Sequence, residues 1–269
     1  LPRLSGFKDF QELKTLCFNE DLAKIKYPID TRGIRVILTG DGRVSSGCVE
    51  ILELARLKRL SPEEFLKISD NPSAEGVYCQ LPADKLYARN NKGGWDEGFF
   101  SDPTDYHSII EPYLSKANAF INGIYWERRT PPLFTLKEMQ ADNFSIKLVS
   151  DITCDIAPVA SIPTTLRATS ISDPIFGFDK FTGKEIPPFK RTPEAVDIVS
   201  VDNLPCELPR DASRDFSNML TKNIFPEIIK EFSGDGVGSD ILNKASLTGK
   251  DGKLTELYSY LQNYVDNLE

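Results

Sequence analysis

Ile34-Arg35-Val36-Ile37-Leu38-Thr39 is a β-branched and aliphatic run that enters Gly40-Asp41-Gly42. An apolar-periodic segment, Val49-Glu50-Ile51-Leu52-Glu53-Leu54-Ala55, follows within a few residues. Strand, glycine turn and helix in direct succession commit this part of the chain to a unit whose helix N-terminus sits at the strand's C-terminal end. That arrangement offers backbone N–H groups and a favourable dipole to an anion, and it is how a dinucleotide pyrophosphate is seated. Gly40 suits the tight turn, and Gly42, lacking a side chain, lets the backbone approach phosphate oxygens. Ser45 stands where the usual fingerprint has its third glycine, with Gly47 two residues later. A lone Gly-x-Gly is often only a turn, so the weight lies in the strand before it and the helix after it.

The rest of the pattern repeats this alternation. It predicts a helix over Phe7–Leu22, a strand over 34–39, a helix over 45–56 and a short second strand at Leu57–Ser61. A helix start follows at Pro62-Glu63-Glu64, then a strand at Gly76–Leu81 within a region rich in Asn, Gly, Asp and Pro. A helix is expected over Asp105–Lys116, and strands at Ala119–Ile124, Ile146–Asp151, Ile175–Phe178 and Asp197–Val201. The expected fold class is α/β, a Rossmann-type, doubly wound and mainly parallel sheet with helices on both faces. From Pro209 a long helix is expected, with Phe216, Leu220, Ile224 and Ile228 on one face and a bend at Pro226. A Gly-Asp-Gly-Val-Gly linker at 234–238 then leads to a closing amphipathic helix over Leu254–Leu268.

Composition excludes several function classes. The 269 residues carry a net charge of −8, which argues against a nucleic-acid partner, because no basic stripe neutralises phosphates. Lys180–Arg191 is locally positive. No apolar stretch approaches the ~20 residues of a membrane helix and no signal peptide is visible, so no membrane partner is expected. Cys17, Cys48, Cys79, Cys154 and Cys206 are odd in number, widely spaced and never in a Cys-x-x-Cys. A disulfide scaffold and a metal site are both disfavoured, and a cytoplasmic setting is expected. The single histidine, His107, falls within the expected 105–116 helix and reads as a surface residue, which leaves Ser-His-Asp or Cys-His catalysis without support.

Three further blocks follow the glycine turn in order: Phe120-Ile121-Asn122-Gly123-Ile124-Tyr125-Trp126-Glu127 with Thr130-Pro131, Val149-Ser150-Asp151-Ile152-Thr153-Cys154-Asp155, and Ser200-Val201-Asp202-Asn203-Leu204-Pro205-Cys206-Glu207-Leu208-Pro209. With the turn they give residues 5–232 a resemblance to the saccharopine dehydrogenase and alanine dehydrogenase family, closest to its lysine-ketoglutarate reductase domains. The resemblance implies an NAD(P)-dependent oxidoreductase that passes a hydride between a nicotinamide and an amino or imino carbon. Saccharopine formation from lysine and 2-oxoglutarate is the favoured version, with saccharopine oxidation and alanine dehydrogenation nearby.

It also implies a layout: a linker helix over 1–30, a dinucleotide-binding domain over 31–208, and a helical tail over 209–269 that packs on a second, incomplete substrate domain. The N-terminal part that carries the family's acid-base lysine and histidine has no counterpart here, so part of the active site is expected to lie elsewhere. The alternative is a non-catalytic nucleotide-binding or interaction module that kept the fold. Partners are an amino acid and a 2-oxo acid, with self-association into a homo-oligomer left open.

The resemblance carries Gly40, Gly42, Arg43, Val44 and Ser45 over as pyrophosphate contacts. Gly123, Ile124 and Tyr125 would border the riboses, Asp202, Asn203 and Leu204 would lie over the nicotinamide, and Asp155 is the expected catalytic acid. Counting from Gly40, the residue that meets the adenosine ribose falls at about Ser61 after Lys58 and Arg59, which leans toward NADP, whereas a strand end two residues later would bring Glu63 into place and suit NAD.

Overall fold

The structure is a computed structural model that describes residues 4–69, 75–91, 93–233 and 238–266. The chain divides into two compact units, Leu1–Leu208 and Pro209–Glu269.

In the first unit, helix α1 (Phe10–Cys17) opens on Asp9, whose carboxylate accepts the Glu12 N–H. It is shorter at both ends than the expected 7–22 span. Strand β1 (Arg35–Thr39) leads through the glycine turn into α2 (Arg43–Leu54). Arg56, at φ +64°, ends α2: the Leu57 N–H bonds the Leu52 carbonyl and the Arg56 N–H the Glu53 carbonyl, a Schellman closure with Leu57 and Leu52 in apolar contact. Strand β2 (Lys58–Leu60) precedes α3 (Pro62–Leu66), where Ser61 and Glu64 form a reciprocal capping box.

Next come β3 (Val77–Leu81), α4 (Ala83–Leu86), β4 (Tyr87–Arg89), β5 (Tyr106–Ser108) and α5 (Glu111–Leu114). Then follow β6 (Ala119–Asn122), α6 (Leu136–Met139), β7 (Leu148–Asp151), β8 (Ile175–Asp179), β9 (Lys184–Ile186) and β10 (Ala195–Val199).

Eight strands form one sheet in the order β2-β3-β1-β6-β7-β10-β8-β9. The first six run parallel, and β8 and β9 add an antiparallel edge. The α/β, doubly wound expectation holds. Alternate residues of β1 go to opposite faces. Val36 and Leu38 pack with Tyr78, Leu52 and Leu57 on the α2 side, while Ile37 joins Phe65, Leu114, Phe120 and Met139 on the other. Each such fully buried aliphatic or aromatic side chain contributes about 1.5–3 kcal/mol.

The strand beside β1 is β3, registered Arg35↔Val77 to Thr39↔Leu81, and β2 lies one place further out. One expected element is corrected. Residues 105–116 do not form one helix: Tyr106–Ser108 pairs antiparallel with Tyr87–Arg89, and only 111–114 is helical. Pro112 suits the first turn of α5, and the residues before it are held extended by side chains. The Arg89 guanidinium pairs with Asp96 at 2.8 Å and Asp105 at 3.3 Å and lies over the Tyr106 ring. Tyr106 in turn donates to Asp96. His107 therefore sits on a strand, exposed, with Nδ1 3.0 Å from Asn90 Oδ1.

The second unit begins with α7 (Pro209–Met219), a π-helical turn over Leu220–Ile224, and α8 (Phe225–Ser233). The π turn falls just before Pro226, where a proline cannot supply its own N–H to the ladder. The expected linker at 234–238 lies outside the described residues except for Gly238. α9 (Asp240–Ala245) follows. In place of a single closing helix there is a 3-10 segment over Glu256–Leu261 and then α10 (Gln262–Asp266); residues 267–268 lie outside the described residues. None of these helices buries a residue, and Phe216, Met219, Ile229 and Phe232 all stand exposed.

Candidate functional site

Parallel pairing decides what comes together. Strands β1, β6, β7 and β10 are neighbours running in one direction, so the segments that follow them, Gly40–Ser45, Gly123–Glu127, Ile152–Asp155 and Ser200–Leu204, emerge at the same edge of the sheet. The chain leaves β1 for one side of the sheet and reaches β6 on the other, and the crevice at such a switch point is where open α/β sheets bind ligands.

At the turn, Gly40 takes φ +87° and has no room for a side chain: an added methyl would lie 3.0 Å from Ser45 Oγ and 3.2 Å from the Gly123 carbonyl oxygen. Gly42 is the opposite case. It caps α2 with no side-chain hydrogen bond, and an added methyl would meet nothing within 4 Å. The first-turn N–H groups of an α-helix have no intrahelical acceptors, so α2 offers donors and the positive end of its dipole on the open side of Gly42.

Ser45 is fully buried, and its hydroxyl donates to the Thr39 carbonyl at 2.9 Å. Its side chain therefore fastens α2 to β1, the close-packing role of the missing third glycine. Arg43 and Val44 are exposed beside it.

A cleft of about 260 Å³ opens at this point. Gly40, Asp41 and Gly42 form one wall, Gly123, Ile124 and Tyr125 another, and Leu86, Tyr87, Phe99 and Phe100 a third. The aromatic wall is the part the sequence pattern missed. Phe99 stacks on Tyr87 at 4.7 Å and meets Tyr106 edge-on at 5.2 Å, so the small β4–β5 sheet holds a rigid apolar face toward the turn. Tyr125 is 93% exposed.

Beneath the cleft runs a buried polar chain. The Gly123 N–H donates to Thr39 Oγ1 at 3.1 Å, and the Thr39 hydroxyl donates to Asn122 Oδ1 at 2.9 Å. The Asn122 amide then donates to Asp151 Oδ1 at 2.9 Å and Ser161 Oγ at 2.8 Å. Asp151, only 2% exposed, also accepts from Thr165 Oγ1 at 2.5 Å and the Cys154 N–H at 3.2 Å. Every contact is a donor to the carboxylate, so the ionised form fits it. Burial nevertheless pushes the Asp151 carboxyl above its ordinary value, and the donors only partly offset this. Asp151 is thus a joint between the ends of β6 and β7. Thr39, Ser161 and Thr165 are too far apart in sequence for any local pattern to group them with it.

Asp155 lies half-buried on the loop after β7, with its carboxyl raised by burial and by the charge of Asp151. That loop is tied to β6 through Thr153, whose hydroxyl donates to the Ile124 carbonyl at 2.7 Å. Cys154, at φ +56°, donates to the Ser200 carbonyl, and burial with the charges of Asp151, Asp202 and Asp155 pushes its thiol up to about 11. Asp202, Asn203 and Leu204 are exposed. The first two border a separate shallow concavity with Ser170 and Cys206 rather than the cleft at the glycine turn.

Ser61 does not reach the turn strand's neighbour: its hydroxyl is spent on the α3 capping box at the end of the outer strand. The group that reaches the turn from that side is Arg59. Its guanidinium donates to Gln80 Oε1 at 2.7 Å, and the Gln80 amide donates to the Gly40 carbonyl at 3.0 Å. All five cysteines are free, and no described helix is long and apolar enough to cross a membrane.

No protein-family model matches this chain. Among curated proteins, it is 26% identical over 262 residues to the mitochondrial alpha-aminoadipic semialdehyde synthase of Rattus norvegicus, covering 87% of this chain and 27% of that protein. It is 29% identical over 266 residues to the alpha-aminoadipic semialdehyde synthase of Arabidopsis thaliana, covering 90% of this chain and 24% of that protein. It is 27% identical over 112 residues to the NAD(+), L-lysine-forming saccharopine dehydrogenase of Schizosaccharomyces pombe, covering 41% of this chain and 28% of that protein. The chain spans about a quarter of the length of these relatives. The likenesses fit the saccharopine dehydrogenase family, a family of oxidoreductases.

Proposed function

We propose that this chain is the nicotinamide-dinucleotide-binding part of an amino-acid oxidoreductase of the saccharopine-forming or saccharopine-oxidising type. The observation that carries the reading is the pairing of opposites at the turn. Gly40 is locked against Ser45 and Gly123, while Gly42 leaves open space at the N-terminus of α2. A pyrophosphate fits that opening, held by the α2 first-turn N–H groups and the helix dipole, with Arg43 as a charge partner. Gly123, Ile124 and Tyr125 would border the riboses. The bound dinucleotide supplies hydride transfer, and the protein supplies placement and charge.

Asp155, raised by burial and by Asp151, is suited to hold or take a proton at the substrate amine. Asp202, Asn203 and Leu204 emerge at the same sheet edge and would close over the nicotinamide. The amine and 2-oxo acid substrates, the acid-base groups supplied by another part of the protein, and the docking of the exposed α7–α8 apolar face on a substrate domain belong to this same reading. Five free cysteines suit a reducing compartment such as the cytoplasm. Of the two cofactors, NADP is favoured, by Arg59 rather than by Ser61: an arginine at the lip of the turn matches a 2′-phosphate.

A second reading, a nucleotide-binding module without turnover, is separated by one pair of measurements. Calorimetry with NADPH and NADH on residues 1–269 is expected to show binding that Gly42→Val abolishes. Hydride transfer with lysine and 2-oxoglutarate is expected only when the remainder of the protein is present. Absence of dinucleotide binding overturns the proposal. Binding without turnover in the whole protein establishes the second reading.

A further inference from the structure

We propose a second anion site at the edge of the sheet opposite the glycine turn, built for a nucleotide-type ligand, a flat ring that carries phosphate groups. This site is independent of the dinucleotide reading. Parallel strands β7 and β10 begin at that edge, and the loop between β9 and β10 folds over their starts. There it encloses a pocket of about 500 Å³, within the range of small-molecule sites, lined by Lys147, Phe189, Lys190, Arg191, Pro193 and Asp197 among others.

Three cations against one carboxylate line a pocket on a protein whose net charge is −8. The carboxylate is engaged, since Asp197 Oδ1 accepts the Phe189 N–H at 2.8 Å. Lys147 donates to the Pro193 carbonyl at 3.0 Å, which ties the loop to the start of β7. Among the described residues Lys190 makes no direct ion pair, though its charge is one of those that lower the Asp179 carboxyl. A further cation stands near: Lys180 is buried between the Phe144 and Phe181 rings, and burial with its charge pushes the Lys147 ammonium down against the opposing charge of Glu194.

The ring half of the argument rests on Phe189. It is 69% exposed and sits at φ +65°, a region that costs a bulky L-residue, and strain of this kind collects at binding sites. The fold thus holds a large aromatic face in water in an unfavourable conformation. Pro187, Pro188 and Pro193 stiffen the loop and lower the entropy of ordering it around a ligand. An exposed ring beside converging cations is the arrangement on which a nucleobase stacks while its phosphates pair.

The test is calorimetry on residues 1–269 with ATP and with inorganic pyrophosphate as probes. ATP is expected to bind wild type and Gly42→Val alike, and to bind Lys190→Glu/Arg191→Glu at least about tenfold more weakly. Phe189→Gly, which removes the ring and relieves the positive φ, is expected to raise the unfolding temperature. It should also bring ATP down to the affinity of pyrophosphate, a loss of about tenfold, without changing pyrophosphate itself. Three results overturn the proposal: no ATP binding to wild type, unchanged affinity in the doubly charge-reversed variant, or loss of ATP in Gly42→Val, which would put the nucleotide at the glycine turn. Equal binding of ATP and pyrophosphate to wild type overturns the ring half.

Discussion

Gly123 and Ser45 meet across the glycine turn so closely that a methyl group on Gly123 would lie 2.9 Å from Ser45 Oγ. The serine hydroxyl reaches the Thr39 carbonyl at that point, and the glycine backbone is held by the Thr39 side chain. Two stretches far apart in sequence, 39–45 and the start of the loop at Gly123, therefore share one contact beside the cleft.

Gly123→Ala is expected to cost about 1–3 kcal/mol by overpacking. Ser45→Ala removes the obstructing oxygen at the loss of one buried hydrogen bond, about 0.5–1.5 kcal/mol. The double variant is therefore expected to be less destabilised than the sum of the two, and urea unfolding of all four proteins measures that coupling. Strict additivity would show that the contact is not the source of the cost.

Gly42→Val separates fold from ligand. A Cβ added at Gly42 meets nothing within 4 Å, so the expected loss is about 1 kcal/mol or less, from replacing a glycine N-cap. The same side chain fills the space at the α2 N-terminus, and dinucleotide affinity is expected to fall to undetectable. A large loss of stability in urea would mean that Gly42 serves the fold and not the ligand.

How much of this the sequence disclosed follows from which signals are local. The β1 run, Gly40, Gly42 and the α2 periodicity are contiguous, and the strand, turn and helix stand where the pattern puts them. Strand neighbours are not local information. β2 follows β1 in sequence but not in space: it is three residues long and carries Lys58 and Arg59 in solvent, the dress of an edge strand. Val77-Tyr78-Cys79-Gln80-Leu81, buried almost throughout, has the run expected of an interior parallel strand. The 105–116 stretch was misread because Tyr106 answers to Arg89, Asp96 and Phe99, which no helical spacing could reveal. Asp151 falls within the 149–155 block, but its hydrogen-bond partners Asn122 and Thr165 lie 29 and 14 residues away, so no local pattern shows its role as a joint.

Asp151 makes pH a probe of that joint. Burial raises its folded-state pKa above the unfolded value, so between the two values the native state binds more protons than the unfolded one. Stability contributed by this group therefore falls as pH rises from the ordinary carboxylate range through the raised value. Asp151→Asn keeps an acceptor for Asn122 and the Cys154 N–H and turns a donor toward the Thr165 hydroxyl, so it is expected to fold and to flatten that part of the pH–stability curve. Asp151→Ala leaves those donors without a partner and is expected to cost about 1–3 kcal/mol. Urea midpoints of the three proteins across the acid range decide this. An unchanged slope in Asp151→Asn would assign the pH dependence to other groups.

On the proposed dinucleotide reading, Arg59 is the residue expected to favour NADP over NAD. Gln80 holds its guanidinium with one end of its amide and the Gly40 carbonyl with the other, which fixes a cation at the lip of the turn. A 2′-phosphate gains a charged hydrogen bond there, worth about 1.5–3 kcal/mol, whereas a bare ribose gains little. Arg59→Ala is therefore expected to weaken NADPH by about tenfold or more while NADH changes by less than about twofold. Gln80→Ala, which frees the arginine without removing it, should give a smaller loss of the same selectivity. Ser61→Ala is the control: its hydroxyl serves the α3 cap, so it should lower stability by about 1 kcal/mol and leave the NADPH-to-NADH ratio unchanged. Calorimetric titration of the four proteins with both dinucleotides measures each ratio. A ratio that survives Arg59→Ala but collapses in Ser61→Ala would return the ribose contact to the outer strand and remove the structural ground for an NADP preference.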